Sequence, residues 1–170
     1  AELRQNHNKS FRHAFIAGSD RFTEQDVGLL FRNGLTQYRR HEQNREMFDS
    51  NNFYNLSKHL VGEFSWKSID SPLTLMTVHM RATVEAEEFR IKQARLARHW
   101  LEPQLARGED VILLGDLNSE HPAGESAGDM AELVGSAKPP AMVDLLKFAP
   151  DSQRTTHLIL PRAFDRMVVS

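Results

Sequence analysis

The sequence predicts an α/β (α+β) chain, a mixed β-sheet with helices packed on it. Three observations predict this. Residues 60–66 and 73–78 alternate or run apolar like strands, and the short polar stretch 68–72 joins them as a hairpin. Residues 84–105 place apolar side chains at helical spacing. Directly behind them, Val111-Ile112-Leu113-Leu114 reads as a strand buried on both faces. Strand, helix and strand in succession make a βαβ crossover with a parallel pair.

The remaining elements follow in order. Residues 2–13 are polar and read as the tail of a helix, and Phe15-Ile16-Ala17 reads as a short strand entering the polar loop 18–25. Residues 26–32 form a better strand, ended by the turn dipeptide Asn33-Gly34. The polar, charged stretch 37–55 reads as a surface excursion. In the long helix Phe89, Leu96 and Trp100 mark one stripe, flanked by Ile91, Ala94, Ala97, Leu101 and Leu105, and Gly108 ends it. Two short helices are expected near 130–134 and 141–148, separated by Pro139-Pro140, and 155–160 and 164–169 are strand-like. No internal repeat or low-complexity linker divides residues 1–170, which read as a single domain.

Composition narrows the function classes. With 40% hydrophobic and 26% charged residues the chain is ordinary globular material. It has no cysteine, so neither disulfides nor a thiolate metal site enter the argument. A net charge of −2 does not favour gripping long duplexes, which calls for a basic excess. Aromatic residues, at 8%, are few for a processive enzyme that stacks single-stranded bases. No apolar run approaches membrane-spanning length, so a soluble protein is expected, with secreted, periplasmic and cytoplasmic locations all open. The chain opens on Ala1 rather than Met, which is compatible with a removed leader.

The most informative stretch is Gly115-Asp116-Leu117-Asn118, set directly behind the aliphatic run. Ligands of open α/β sheets bind beyond the carboxyl ends of the strands. Asp116 offers charge for a hard cation or for the proton of a water, and Asn118 offers a donor and an acceptor that never titrate. Together they can aim a water at phosphorus. The plainer alternative is a strand followed by an Asx-rich turn. His79 ends the strand 73–78. If that strand runs parallel to the next one, His79 and Asp116 emerge at the same edge, where an imidazole can steady a phosphoryl oxygen; the alternative is a histidine facing solvent. Asp165 opens the last strand and can orient an imidazole, or else pairs on the surface with Arg166 or Arg162. Lys58 precedes a strand and can set a cation over a phosphate, with a solvated lysine as the alternative. Arg81 and Arg90 are similar cases. Glu87-Glu88 complements a helix dipole.

Taken together, these segments resemble the endonuclease/exonuclease/phosphatase superfamily, the fold of pancreatic deoxyribonuclease. The matching text is 26–32, Ser57-Lys58-His59-Leu60-Val61-Gly62-Glu63-Phe64, Val78-His79-Met80, Arg90-Ile91-Lys92-Gln93-Ala94, 111–118 and 164–170. The segment 18–27 is similar to a bacterial branch. The resemblance implies a two-sheet β-sandwich flanked by helices, incomplete at both ends, with a divalent cation, Mg²⁺ or Mn²⁺, at one end of it. It implies that Asp116 and Asn118 hold the metal and activate the attacking water, that His79 binds the scissile phosphate, and that Asp20 orients that histidine. Lys58 and Arg81 would bind phosphate, and Asp165 matches the aspartate that pairs with the catalytic histidine of the family. The substrate would be a phosphoester, either nucleic acid or a small phosphorylated molecule, and nuclease and phosphatase both stay open, as does oligomeric state.

Members of the family also carry an early strand with an asparagine, a Gln-Glu motif whose glutamate holds the metal, and a terminal Ser-Asp-His. None of these stands in the sequence. The expectation is therefore a fragment of a longer hydrolase. The competing expectations are a non-catalytic binding or scaffold module of the same fold, and an unrelated α/β domain in which His79, Asp116, Asn118 and Asp165 scatter. On the fragment reading the 170-residue chain alone has little or no hydrolase activity; Mg²⁺-dependent phosphodiester turnover by the purified chain would overturn that.

Overall fold

The computed structural model describes residues 10–19, 25–44, 52–138 and 141–170. A six-stranded sheet organises them. Its strands are β3 (Leu35–Arg39), β4 (His59–Phe64), β5 (Leu73–His79), β6 (Asp110–Asp116), β7 (Val143–Asp144) and β8 (Asp165–Val169), arranged β3-β4-β5-β6-β8-β7. The β4–β5 hairpin is antiparallel, and helix α1 (Glu87–Ala106) carries the chain over to β6, parallel to β5. β8 returns antiparallel between β6 and β7. A second sheet pairs β1 (Arg12–Ile16) with β2 (Val27–Phe31). Helix α2 (Gly128–Val134) lies beside α1. Among the described residues no helix is long and apolar enough to cross a membrane.

Strand alternation decides what each face of the large sheet does. Val61, Met76, Val78, Val111, Leu113 and Val168 face the helices and pack with Ala94, Ala97, Trp100 and Leu101 of α1 and Met130 and Leu133 of α2. Leu60 faces the other way and packs with Ala14 and Val27 of the small sheet. The architecture is two sheets face to face with helices on the outer side of one. The small sheet covers β4 and β5; further across the same face, Met167 of β8 is 41% exposed.

Several expectations need correction. Arg12 and His13 belong to β1 rather than to a helix tail, and residues 1–9 of that segment lie outside the described residues. The stretch 37–55 does not begin as an excursion, because β3 runs through Arg39. The Asn33-Gly34 turn does end β2, as expected, and because β2 pairs with β1 and β3 with β4 it moves the chain from one sheet to the other. Gly34 has φ +90°, and a Cβ there would stand 2.3 Å from the Trp66 ring, which makes glycine obligatory. The segment 141–148 is not one helix. It forms β7 and then a 3₁₀ turn, Leu145–Phe148, capped by Asp144 Oδ1 accepting from Leu146 N at 3.0 Å. No strand forms over 155–160, where His157 Nδ1 accepts from the amides of Ile159 and Leu160 and curls the chain locally. In α1 the buried stripe includes Arg90 and Gln93, while Phe89 is exposed.

A ring stack lies beneath the β4 end of the sheet. Trp100 of α1 stacks on His59 at 4.5 Å and on His41 at 4.8 Å between centroids. His59 Nδ1 donates to the Leu56 carbonyl at 2.7 Å, and its Nε2 accepts from His41 N at 2.9 Å. Both ring nitrogens are thus satisfied by one neutral tautomer. Burial pushes the His59 pKa down to about 4, and burial together with Arg39 takes His41 to about 4 as well. The unfolded imidazole protonates near its ordinary 6.5, so the unfolded state takes up protons first as the pH falls. Stability is therefore complete above pH 6.5 and declines down to about pH 4, by on the order of 3 kcal/mol from His59 alone. Urea unfolding at pH 7 and pH 4.5 should register that loss. His59→Gln, weaker at pH 7, should lose less between the two, and an equal loss in both proteins would exclude His59 as the cause.

Candidate active site

The carboxyl ends of β5 and β6 and the start of β8 form one edge of the large sheet. In register across it stand His79, Asp116 and Asp165. Residues opposite one another on paired strands share a face, and alternation sets these three on the face turned toward the small sheet. His79 Nε2 and Asp116 Oδ2 are 3.8 Å apart, within reach of an ion pair but beyond a hydrogen bond. The His79 side chain is 20% exposed and that of Asp116 38%, so both meet solvent. Two carboxylates directly opposite one another repel, a cost that a cation at this edge would relieve.

The Gly-Asp-x-Asn stretch has a geometric reason at each end. Gly115 has φ +140°, and a Cβ on it would stand 2.0 Å from the Val78 carbonyl. Only glycine lets β6 approach β5 closely enough to keep His79 beside Asp116. Beyond the strand, Asp116 Oδ1 accepts from Asn118 N at 3.0 Å, closing an Asx turn. Asn118 sits at φ +49°, a left-handed conformation that asparagine tolerates better than most residues. Its Nδ2 donates to the Met80 carbonyl at 3.1 Å, and Met80 N donates to the Asp116 carbonyl at 2.9 Å. The amide of Asn118 is thereby locked, with Oδ1 left out of those bonds. The turn expected as the plain alternative does exist, and it is the device that aims these side chains.

The other residues singled out fall in different places. Lys58 is buried, and its Nζ donates to Gln25 Oε1 at 3.1 Å; its carbonyl accepts from His79 N at 3.0 Å, so it adjoins the edge through its backbone. Arg81 is exposed in the loop after β5, and its amide donates to Gln93 Oε1 at 2.8 Å. Asp165 is exposed; Arg166 pairs with Asp144 at 2.7 Å and Arg162 with Glu120 at 3.0 Å instead of with it. Asp20 lies outside the described residues. Glu87, expected only to complement the helix dipole, also meets His121 Nε2 at 3.0 Å.

Sequence reasoning missed the buried ions behind the edge. Arg90, grouped with solvated cations, is 1% exposed, and its Nε donates to Asp129 Oδ2 at 3.1 Å. Asp129 Oδ1 accepts from Ser119 Oγ at 2.8 Å. Arg166 likewise is buried against Asp144, with its fork also on the Ala163 and His121 carbonyls. The available signal was positional: Arg90, Gln93, Ala97 and Trp100 follow helical spacing on one face.

Among the described residues no three His, Asp or Glu side chains converge into a metal cage. Asp116 Oδ2 and Asn118 Oδ1 are nonetheless hard oxygen donors at an open, doubly acidic edge. That donor set suits a cation such as Mg²⁺, which is held by one or two carboxylates and keeps much of its water.

No protein-family model matches the sequence, and no curated protein matches it. Solved structures do. The catalytic domain of human Nocturnin, with a bound sulfate anion, aligns over 100% of this chain and 66% of its own, at a TM-score of 0.62 and 12% identity. TDP2 from C. elegans aligns over 99% and 48%, at 0.63 and 15%. D. rerio TDP2, complexed with a single-strand DNA product, aligns over 99% and 65%, at 0.60 and 16%. The chain spans about half to two-thirds of the length of these structures. The chain therefore has the fold of these structures, a deoxyribonuclease-like one. Gly115→Ala should destabilise the protein by about 3 kcal/mol or more through strain and the clash with Val78; a thermal midpoint equal to that of the wild type would refute this account of the glycine.

Proposed function

Starting from a chain with the deoxyribonuclease-like fold, we propose that the protein to which it belongs is a divalent-metal-dependent phosphoester hydrolase, with the edge formed by β5, β6 and β8 as its reaction centre. The observation that carries the reading is the placement of His79, Asp116 and Asp165 in one register row, with Asn118 locked two residues beyond.

Each group has a task that its surroundings support. Asp116, with Oδ1 committed to the Asx turn, keeps Oδ2 to attract the proton of an attacking water. Asn118, whose Nδ2 is taken by Met80, presents Oδ1 to hold that water in line with phosphorus. His79 offers its ring to a phosphoryl oxygen as charge builds in the transition state. Arg81, exposed two residues beyond His79, would supply phosphate attraction, whereas Lys58 adjoins the edge through its backbone; Asp165 would orient an imidazole. When bound, Mg²⁺ or Mn²⁺ supplies Lewis-acid polarisation of the phosphate and stabilises the leaving group, and Asp116 and Asn118 are the residues that would hold it. The phosphoester is nucleic acid or a small phosphorylated molecule; the DNA product bound by D. rerio TDP2 makes single-stranded ends the first class to try.

The test is hydrolysis by the protein at its natural length, with Mg²⁺ or Mn²⁺, of bis(4-nitrophenyl) phosphate, 4-nitrophenyl phosphate, plasmid DNA and short single strands. Turnover of at least one should fall on the order of 10²–10³-fold in kcat in Asn118→Ala and His79→Gln, as for loss of a group that acts in the transition state. Equal turnover in the variants, or none in the wild type on any substrate, would remove the reading; binding without turnover would favour a scaffold module.

A further inference from the structure

Among the described residues, only two non-glycine residues have left-handed backbone, Thr83 at φ +84° and Asn118 at φ +49°. Thr83 is the more costly, because a β-branched residue rarely adopts that region. Such conformations persist only where the surroundings over-determine them. Both stand in the loops that leave the reaction edge, after β5 and after β6, and one buried guanidinium is tied to both loops.

Arg90 Nη1 donates to the carbonyls of Thr83 and Arg81, the latter at 3.2 Å. Its Nε donates to Asp129 Oδ2 at 3.1 Å, and the other oxygen of Asp129 accepts from Ser119 Oγ at 2.8 Å. Ser119 Oγ in turn accepts from His121 N at 3.4 Å. Arg90, Asp129 and Ser119 are each 1% exposed, so the two bonds to Asp129 are dry and charge-assisted. The two branches meet at one residue. One branch fixes the 80–83 loop, whose Met80 carbonyl holds the Asn118 amide. The other fixes Ser119, the next residue after Asn118. Gln93, one turn along α1, reinforces the first branch by accepting from Arg81 N at 2.8 Å and donating to the Asn55 carbonyl at 2.7 Å.

We propose that Arg90, through Asp129 and Ser119, is a positioning residue that sets the left-handed backbone and amide direction of Asn118, and with them the water-aiming geometry of the reaction edge. The inference rests on the hydrolase reading for its kinetic consequence alone. The side chains of Arg90, Asp129 and Ser119 reach the edge only through neighbouring backbone. A packing role would lower stability without altering the catalysis of molecules that remain folded. A positioning role alters kcat with little change in KM and acts only while Asn118 is present.

Ser119→Ala removes one branch while leaving the Arg90–Asp129 pair intact, so it is the variant that should fold. In the natural-length protein, its kcat should fall about tenfold with KM nearly unchanged, the size usual for a group supporting a site residue. In an Asn118→Ala background the same change should have no further effect. The ¹H–¹⁵N resonances of the Asn118 side-chain amide should shift, and their hydrogen exchange should quicken. Arg90→Lys, which keeps the charge but cannot reach both branches, should reproduce the shift more strongly, and Thr83→Gly should partly restore its stability. The same kcat loss with and without Asn118, or an unmoved Asn118 amide, would overturn the inference. If the wild type hydrolyses nothing, the hydrolase reading fails alone, because the amide resonances still decide whether the network sets Asn118.

Discussion

The buried pair of Arg90 and Asp129 is the constraint that ties together α1, α2 and the loops after β5 and β6. A buried ion pair is a poor source of net stability, because desolvation offsets most of the attraction, yet removing either partner leaves an uncompensated charge. What the pair supplies is direction. A guanidinium offers five donors in a fixed plane, and here they bind two loop carbonyls and a carboxylate from α2. Helix, loop and loop are held in one geometry that apolar packing, which has no direction, would not select.

The sheet supplies the other half of the site. Parallel pairing of β5 and β6 and antiparallel return of β8 bring residues 79, 116 and 165 into one row. The glycine at 115 permits the close approach, and the Asx turn at Asp116 converts the end of a strand into an aimed carboxylate and carboxamide. Fold and site are therefore one construction: the helix face that packs the core with Ala94, Ala97 and Trp100 also carries Arg90 and Gln93 at its first turns.

Much of the fold was legible locally. The β4–β5 hairpin, the helix, its end at Gly108 and the run into β6 all follow from periodicity and turn chemistry over windows of a few residues. Where the reading failed, non-local pairing had overridden local character. β3 is polar because it pairs on one side only, at the margin of the sheet, so its period looked like loop. Residues 155–160 are rich in strand formers, but side-chain acceptance by His157 turned them aside. Phe89 is apolar yet exposed, whereas Arg90 next to it is the residue that turns inward.

By itself the sequence determined that a parallel βαβ unit exists, and hence that His79 and Asp116 leave the sheet at a common edge, because strand direction follows from a crossover of that length. Tertiary structure alone decided that β8 inserts between β6 and β7 and so sets Asp165 beside Asp116. It alone decided, too, that the arginine on the buried face of α1 is met by an aspartate 39 residues away. Local propensity carries no information about such partners: the burial of a charge is settled by whether a distant opposite charge arrives to meet it.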